Sequence, residues 1–249
     1  MTRAICWLAA VLPVAHMPLA AQPKLLVNAT VDNRSAAAGL EREFRSLLAV
    51  GPQPAWIGYL VPAVRVDGLS CELVNRDGAS AAGVVHLEPP DHAVILFRVV
   101  ANAVERIRAL SPDCEIDAGG VPVHWLNDVP PAQSVALLDT FATGGLAGAT
   151  SAVRAIAMHS DPAADAALDR YLAPTQPESI RLRAVSLVGS TRGRRGFEAL
   201  KNLIANDPNQ RVRERAITAL AASREPQSAD LLIATARDDR DQRVQRRAI

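Results

Sequence analysis

Several groups of residues have the types and the spacing that a chemical site requires. The first group lies in one short segment and contains His86, Glu88, Asp91 and His92. Imidazole and carboxylate groups are common metal ligands, so this spacing is compatible with a metal site. However, Pro89-Pro90 indicates a turn between two strands, where acidic side chains usually face water. We therefore predict no metal site and no cofactor.

A second group could form a nucleophilic set. Ser134, His124 and Asp128 supply the hydroxyl, imidazole and carboxylate that serine activation uses. Ser134 is not within a Gly-x-Ser-x-Gly motif, and its place in the first turn of a predicted helix is explained by local structure alone. The sequence therefore predicts no catalytic residues and no enzymatic activity.

Arginines recur at a fixed spacing in the C-terminal half. Arg183, Arg215 and Arg247 are 32 residues apart. One interpretation is a basic stripe that binds an acidic protein or polymer. The alternative is that these side chains only solvate the helices, and the sequence leaves both open.

Other arginines carry separate predictions. Arg181 and Arg213 form another column, for which we favour pairing with acids between repeats, such as Asp207 and Asp239. A turn flanked by glycines is predicted between two helices, and exposed turns often make contacts. It is a further candidate for partner binding and contains Arg192, Arg194 and Arg195.

Composition and charge exclude some classes of protein. The chain has 249 residues, 49% hydrophobic and 21% charged, which is typical of a globular protein. The net charge of +1 and the lack of aromatics among the arginines argue against nucleic acid as a partner. Residues 22–150 contain 9 basic and 14 acidic side chains, whereas residues 151–249 contain 17 and 12. This asymmetry favours a domain boundary near residue 145.

The first residues resemble a targeting signal in their order. A positive charge at Arg3, an apolar run and small residues at Ala20 and Ala21 predict a signal peptide over residues 1–21. The alternative is an N-terminal anchor helix. Removal of the signal would leave an exported chain, periplasmic or extracellular, with no membrane span. Cys71 and Cys114 would then form one disulfide, unless they are two separate buried thiols.

The C-terminal half repeats every 32 residues. Apolar type is kept at columns such as Ala152, Ala184, Ala216 and Ala248. Within each copy the apolar spacing is three and four, which predicts pairs of helices. The predicted helices are Ser151–His159, Ala163–Ala173, Glu178–Gly189, Arg195–Asn206, Gln210–Ala222, Gln227–Arg237 and, truncated, Asp241–Ile249.

This pattern resembles the HEAT repeat, in its short form found in bilin lyases and deoxyhypusine hydroxylase. Asp207-Pro208, Val212-Arg213, Ala216 and Leu220 carry the resemblance, which covers residues 148–249. It implies an armadillo-like α-α superhelix over residues 146–249 that serves as a scaffold for an unknown protein partner. It also raises an alternative, an enzyme or enzyme subunit of the bilin lyase or hydroxylase type. The His-Glu dipeptides of the di-iron hydroxylases are absent from this sequence.

Residues 22–145 are predicted to form a small mixed α/β domain, so the chain is a multidomain α+β protein. Predicted helices are Ala36–Val50 and Pro131–Ala142, and predicted strands are Ala55–Pro62, Ser70–Val74, Gly83–Leu87, Ala93–Val100, Val104–Leu110 and Val121–Leu126. The blocks around Trp56, Cys114 and Trp125 resemble the leading segment of exported bacterial HEAT-repeat proteins. A helix pair cut at its middle should expose Val244, Ala248 and Ile249, so we expect either more chain beyond residue 249 or self-association through this edge.

Overall fold

A computed structural model of the chain describes residues 26–65, 90–145 and 148–249. The predicted signal peptide, the strands Ser70–Val74 and Gly83–Leu87, and Cys71 lie outside these residues. Predictions about them stay predictions.

A five-stranded mixed sheet forms the N-terminal part. Its strand order is β2-β7-β3-β4-β5, in which β2, β7 and β3 are parallel and β4 and β5 are antiparallel to their neighbours. The strands are β2 Val31–Ser35, β3 Ala55–Pro62, β4 His92–Val100, β5 Ala103–Leu110 and β7 Val123–Asn127. Two short strands, β1 Leu26–Val27 and β6 Ile116–Asp117, pair beside it.

The strand predicted at residues 104–110 is confirmed as β5. It forms a hairpin with β4 through Ala101 and Asn102, which both have positive φ. Two-residue hairpin turns need this backbone conformation because it matches the twist of the strands.

The first predicted helix begins later than expected. Residues 31–35 form β2, and the Ala36 N–H continues that pairing by donating to the Asn127 carbonyl at 2.8 Å. Helix α1 therefore spans Leu40–Val50 and buries Leu40, Phe44 and Leu47. The sequence did not predict β1, β2 or β6, since their edge positions leave them without a clear apolar alternation.

The two faces of the sheet have different covers. One face carries Ile57, Tyr59, Ile95 and Phe97 and packs against α1, α2 (Pro131–Thr143) and α3 (Ala149–Met158). The opposite face carries a separate apolar cluster that includes Leu96 and Trp125. Successive side chains of a strand point to opposite faces, so Trp56, Tyr59 and Trp125 do not form one aromatic patch.

The C-terminal part consists of helix pairs, as predicted. The helices after α3 are α4 Pro162–Leu172, α5 Glu178–Thr191, α6 Gly193–Asn206, α7 Gln210–Ala221, α8 Ser228–Asp238 and α9 Gln242–Arg247. The first helices of the pairs, α3, α5, α7 and α9, contact one another in that order, and the second helices pack against them. This arrangement is a helical solenoid. No helix in the described part of the chain is long and apolar enough to cross a membrane.

The apolar core crosses the proposed boundary at residue 145. One cluster of buried side chains runs from α1 and the sheet through α2, α3 and α4 into α5. A second cluster fills the space among α5–α9. Val244 is fully buried in it, so the expectation that Val244 lies on an uncovered edge is wrong: its column faces inward in every repeat. Ala248 is partly buried, and Ile249 is 97% exposed.

Candidate functional site

Four arginines lie along the first helices of successive repeats. They are Arg154 on α3, Arg183 on α5, Arg215 on α7 and Arg247 on α9, and we call them the arginine stripe. Because these helices lie side by side, a spacing of 32 residues places one stripe residue on each repeat. The structure therefore brings together three predicted candidates, Arg183, Arg215 and Arg247, and adds a fourth.

The stripe has unneutralised positive charge. Partial desolvation, followed by the charges of Arg154 and Arg215, lowers the pKa of the Arg183 guanidinium. Among the described residues, Arg154, Arg183 and Arg215 form no ion pair, and Arg247 Nε donates to the neutral hydroxyl of Thr218 at 3.2 Å. The stripe can therefore accept several carboxylates from outside the chain.

Arg154 was not found from the sequence. Its column continues as Ser186 and Thr218, so a search for arginines at a fixed period misses it. The available signal was local: Arg154 is three residues after Ser151, which occupies the Arg183 column, and residues i and i+3 share one helix face.

The column two residues earlier has the opposite role. Arg181 pairs with Asp207, and Arg213 pairs with Asp239, with all four side chains at most 9% exposed. The Arg181 Nε also donates to the Leu172 carbonyl at 3.1 Å. The predicted pairing between repeats is confirmed, and this column is enclosed within the solenoid.

The three arginines around residue 193 are not a free turn. Gly193, with φ of 46°, reverses the chain in one residue, so α6 begins at Gly193 and includes Arg194 and Arg195. The prediction of a turn over these residues is wrong for this reason. Arg194 pairs with Glu198 at 2.9 Å, and Arg195 pairs with Asp169.

Arg192 joins neighbouring helix pairs. Its side chain is 6% exposed, and Nε lies 2.5 Å from Asp165 Oδ1. The guanidinium also donates to the carbonyls of Ala157 at 2.8 Å and His159 at 3.1 Å. With all these partners inside the protein, Arg192 has no donor left at the surface and is removed from the candidate contact residues.

Ser134 belongs to a buried chain of hydrogen bonds. Its Oγ lies 2.8 Å from His159 Nε2 and 2.8 Å from the Tyr59 hydroxyl, and all three residues are fully buried. His159 Nδ1 lies 2.8 Å from the Ala155 carbonyl, so this nitrogen carries the proton. In neutral His159, Nε2 then accepts from Ser134, and Ser134 accepts from Tyr59.

The protonation of this chain follows from its burial. Desolvation lowers the pKa of His159 to about 4, which keeps the imidazole neutral at pH 7. Burial also raises the pKa of Tyr59. The network joins β3, α2 and α3 through three neutral groups, and solvent does not reach the serine.

The nucleophilic set considered from the sequence is not assembled. His124 Nδ1 lies 3.2 Å from Asp32 Oδ2 rather than beside Ser134. The serine found a histidine 25 residues later instead, because α2 and α3 pack side by side on the sheet.

The first group of possible metal ligands is only partly described. His86 and Glu88 lie outside the described residues, and Asp91 Oδ1 lies 2.7 Å from His92 Nδ1. Within residues 26–65, 90–145 and 148–249, no three side chains of His, Cys, Asp or Glu are close enough to hold a metal ion. Cys114 is 2% exposed, and its predicted partner Cys71 lies outside.

Comparison with known proteins identifies the helical part. A family model described as HEAT repeats matches residues 164–249. No curated protein and no solved structure matches the chain. The matched residues begin in α4 and contain the columns and helix pairs described above. The segment from residue 164 to residue 249 therefore belongs to the HEAT-repeat family.

Proposed function

We propose that this chain is a non-enzymatic, exported scaffold whose HEAT repeats bind an acidic segment of a partner protein. HEAT repeats in general mediate interactions between proteins, through the extended surfaces that stacked helix pairs present. One observation carries the proposal for this chain. The arginine stripe follows the helix stack, and no acidic side chain of the described residues neutralises it.

The energetics of the stripe favour an external partner. Cations on neighbouring helices repel one another, and this repulsion contributes to the lowered pKa of Arg183. Carboxylates from a partner would remove the repulsion and form charge-assisted hydrogen bonds with several guanidinium groups. Steering by such a surface also speeds association, in a way that added salt weakens.

Affinity capture with matched variants tests the proposal. The bait is the chain from residue 22, and bound proteins from its own exported compartment are identified by mass spectrometry. The variant Arg183→Glu/Arg215→Glu reverses two stripe charges, and Arg194→Glu/Arg211→Glu reverses two exposed arginines that already have acidic partners. We expect the stripe variant to bind the captured partner at least about tenfold more weakly, since each exposed pair contributes up to about 1 kcal/mol. The control variant should retain it.

Two results would contradict the proposal. Equal loss with the stripe and the control variants would assign binding to general charge rather than to the stripe. Retention of the partner by the stripe variant would place the contact elsewhere on the chain.

Export has its own test, through the disulfide that we propose between Cys71 and Cys114. Peptide mapping without reduction, on protein recovered from the exported fraction, should show one peptide pair linked through these cysteines and a mature chain that begins near residue 22. Recovery of both cysteines as free thiols, or of a chain that retains residues 1–21, would oppose an exported location.

The enzymatic alternative has little support in the residues. A lyase or hydroxylase of the HEAT type would need clustered His, Glu or Cys on the repeats. Residues 146–249 contain no cysteine and one histidine, His159, which is fully buried.

A further inference from the structure

A cavity lies on the sheet face opposite to the helices. Its volume is about 280 Å³, and its floor contains Trp56, Leu96 and Leu110 from three adjacent strands. Its other side is formed by the segment from Cys114 to Ala118, which includes β6. The cavity is remote in the fold from the arginine stripe, which follows the first helices of the repeats. A ligand bound here would therefore be independent of the proposed partner.

Cations are concentrated at one end of this face. The strand register places Trp56 opposite Arg98, and Arg98 opposite Arg106. Arg106 lines the cavity and is exposed, and the Arg98 guanidinium lies 5.4 Å from the Trp56 ring. Like charges directly opposite each other on a sheet are destabilising. An unpaired arginine couple is therefore an unusual feature for this face unless it serves a ligand.

The couple has no acidic partner among the described residues. Arg98 Nη1 is buried and makes no hydrogen bond there, and Arg106 forms no ion pair in the same part of the chain. The acidic residues that line the cavity are Glu115 and Asp117. The Asp117 carboxylate accepts the Gly119 N–H at 2.7 Å. These two carboxylates limit how much negative charge the cavity can take.

We propose that this cavity binds a small monoanionic ligand with an apolar body, of the carboxylic acid class. The carboxylate would lie at Arg106, and the apolar body would lie on Trp56, Leu96 and Leu110. Glu115 and Asp117 would disfavour a second negative charge. The volume is at the low end of the range for small-molecule pockets, so the ligand is small. Apolar lining with a few polar groups at one end is the usual design of such sites.

Binding can be followed with octanoate as the probe. Trp56 and Trp125 both lie on this face, so tryptophan fluorescence of the whole chain reports the occupied cavity. Octan-1-ol and octylammonium are the matched probes, with the same body and a neutral or cationic head. We expect octanoate to bind at least about tenfold more tightly than octan-1-ol and octylammonium more weakly than both, because only the carboxylate gains a charge-assisted bond to arginine.

Two variants separate the site from general electrostatics. Arg106→Gln should weaken octanoate binding by about 10- to 100-fold and leave octan-1-ol unchanged, the range expected for loss of a hydrogen bond between charged groups. Arg215→Gln makes the same change of charge on the arginine stripe and should leave octanoate binding unchanged. Because Arg106 is exposed, the circular dichroism of Arg106→Gln should match that of the natural protein.

Several outcomes would overturn the proposal. They are the absence of octanoate binding, equal affinity for octanoate and octan-1-ol, and equal weakening by Arg106→Gln and Arg215→Gln. The first two would leave the cavity without a role in anion binding. The third would assign the effect to net charge. None of these results depends on whether a protein partner binds the stripe.

Discussion

Two arginines that are two residues apart in α5 illustrate how position decides the role of a side chain. Arg181 is enclosed with Asp207, whereas Arg183 is exposed beside other cations. In a helix, two residues correspond to a rotation of about 200°, so one side chain faces the neighbouring helices and the other faces water. Stability and binding can therefore be separated experimentally within one turn.

Arg181→Met should destabilise the protein strongly. The substitution leaves the Asp207 carboxylate buried without its cation, and loss of one partner of a buried pair typically costs about 3–5 kcal/mol. The measurement is the free energy of unfolding in urea. Arg183→Met is the control, and as a surface change it should stay within about 0.5 kcal/mol of the natural protein.

The double variant Arg181→Met/Asp207→Asn tests the cause of that loss. The amide introduced by the second substitution is neutral, and its oxygen could still accept the Asn209 N–H that Asp207 Oδ1 accepts at 2.9 Å. We expect the double variant to be more stable than Arg181→Met alone. If it is less stable, the stranded carboxylate is not the reason for the destabilisation.

His159 should make stability depend on pH. Its pKa is about 4 in the folded protein against an ordinary value of 6.5, because burial disfavours the charged imidazole. Between these values the unfolded chain takes up a proton that the folded chain does not, so the free energy of unfolding falls as the pH falls from 6.5 to 4. The full contribution is about 3 kcal/mol, since one pKa unit corresponds to about 1.4 kcal/mol.

Urea unfolding at a series of pH values between about 7 and 4 measures this dependence. His159→Gln lacks the titrating group, so its curve should be flatter than that of the natural protein, whatever its absolute stability. Parallel curves for the two proteins would show that other groups cause the loss at low pH.

At the scale of elements, α5 and α6 meet at a glycine. A Cβ atom added to Gly196 would lie 2.3 Å from the Val188 carbonyl oxygen of α5. Such a distance is impossible, and backbone cannot rotate away as a side chain can. The close approach lets Arg192 alone connect the two helices.

Gly196→Ala should therefore destabilise the protein by about 1–3 kcal/mol, the usual cost of overpacking. Helix propensity alone predicts the opposite sign, since alanine is favoured over glycine by about 1 kcal/mol within a helix. Urea unfolding measures the change. Lys201→Ala, at an exposed position of α6, is the control and should have little effect. A stabilised Gly196→Ala variant would show that α5 and α6 can separate at no cost.

At the scale of the whole molecule, the sheet and the first repeats share one apolar core. Leu138 of α2, Ile156 of α3 and Leu168 of α4 are fully buried in the cluster that also contains Phe97 of the sheet. Separation of the two parts near residue 145 would expose this surface to water. We therefore expect the sheet and the repeats to unfold together.

Two optical probes can test this cooperativity. Trp56 and Trp125 report on the sheet by fluorescence, and most of the far-ultraviolet circular dichroism signal comes from the helices. In urea, both probes should give the same midpoint. Two midpoints would indicate that the parts unfold independently, as the predicted division into residues 22–145 and 146–249 would allow.

Much of the architecture could be predicted because it depends on local periodicity. The strand Ala55–Pro62 has the predicted bounds, and most of the repeat helices differ from the predicted bounds by one or two residues at each end, since apolar spacing marks which side of each element is buried. The repeat itself located the Arg181 and Arg183 columns and the pairing of Arg181 with Asp207. The resemblance to HEAT repeats, which the family model supports over residues 164–249, likewise follows from the spacing alone.

Only the tertiary structure decided which distant groups meet. Ser134 and His159 lie far apart in the chain, and their contact depends on how α2 and α3 pack on the sheet. Arg192 and Arg194 look alike in the sequence, yet one is enclosed and the other is exposed because α6 starts directly after Arg192. The cavity beside Arg106 requires three strands in register. Local spacing determines which face of an element is apolar, whereas the arrangement of elements is set by contacts between residues far apart in the chain.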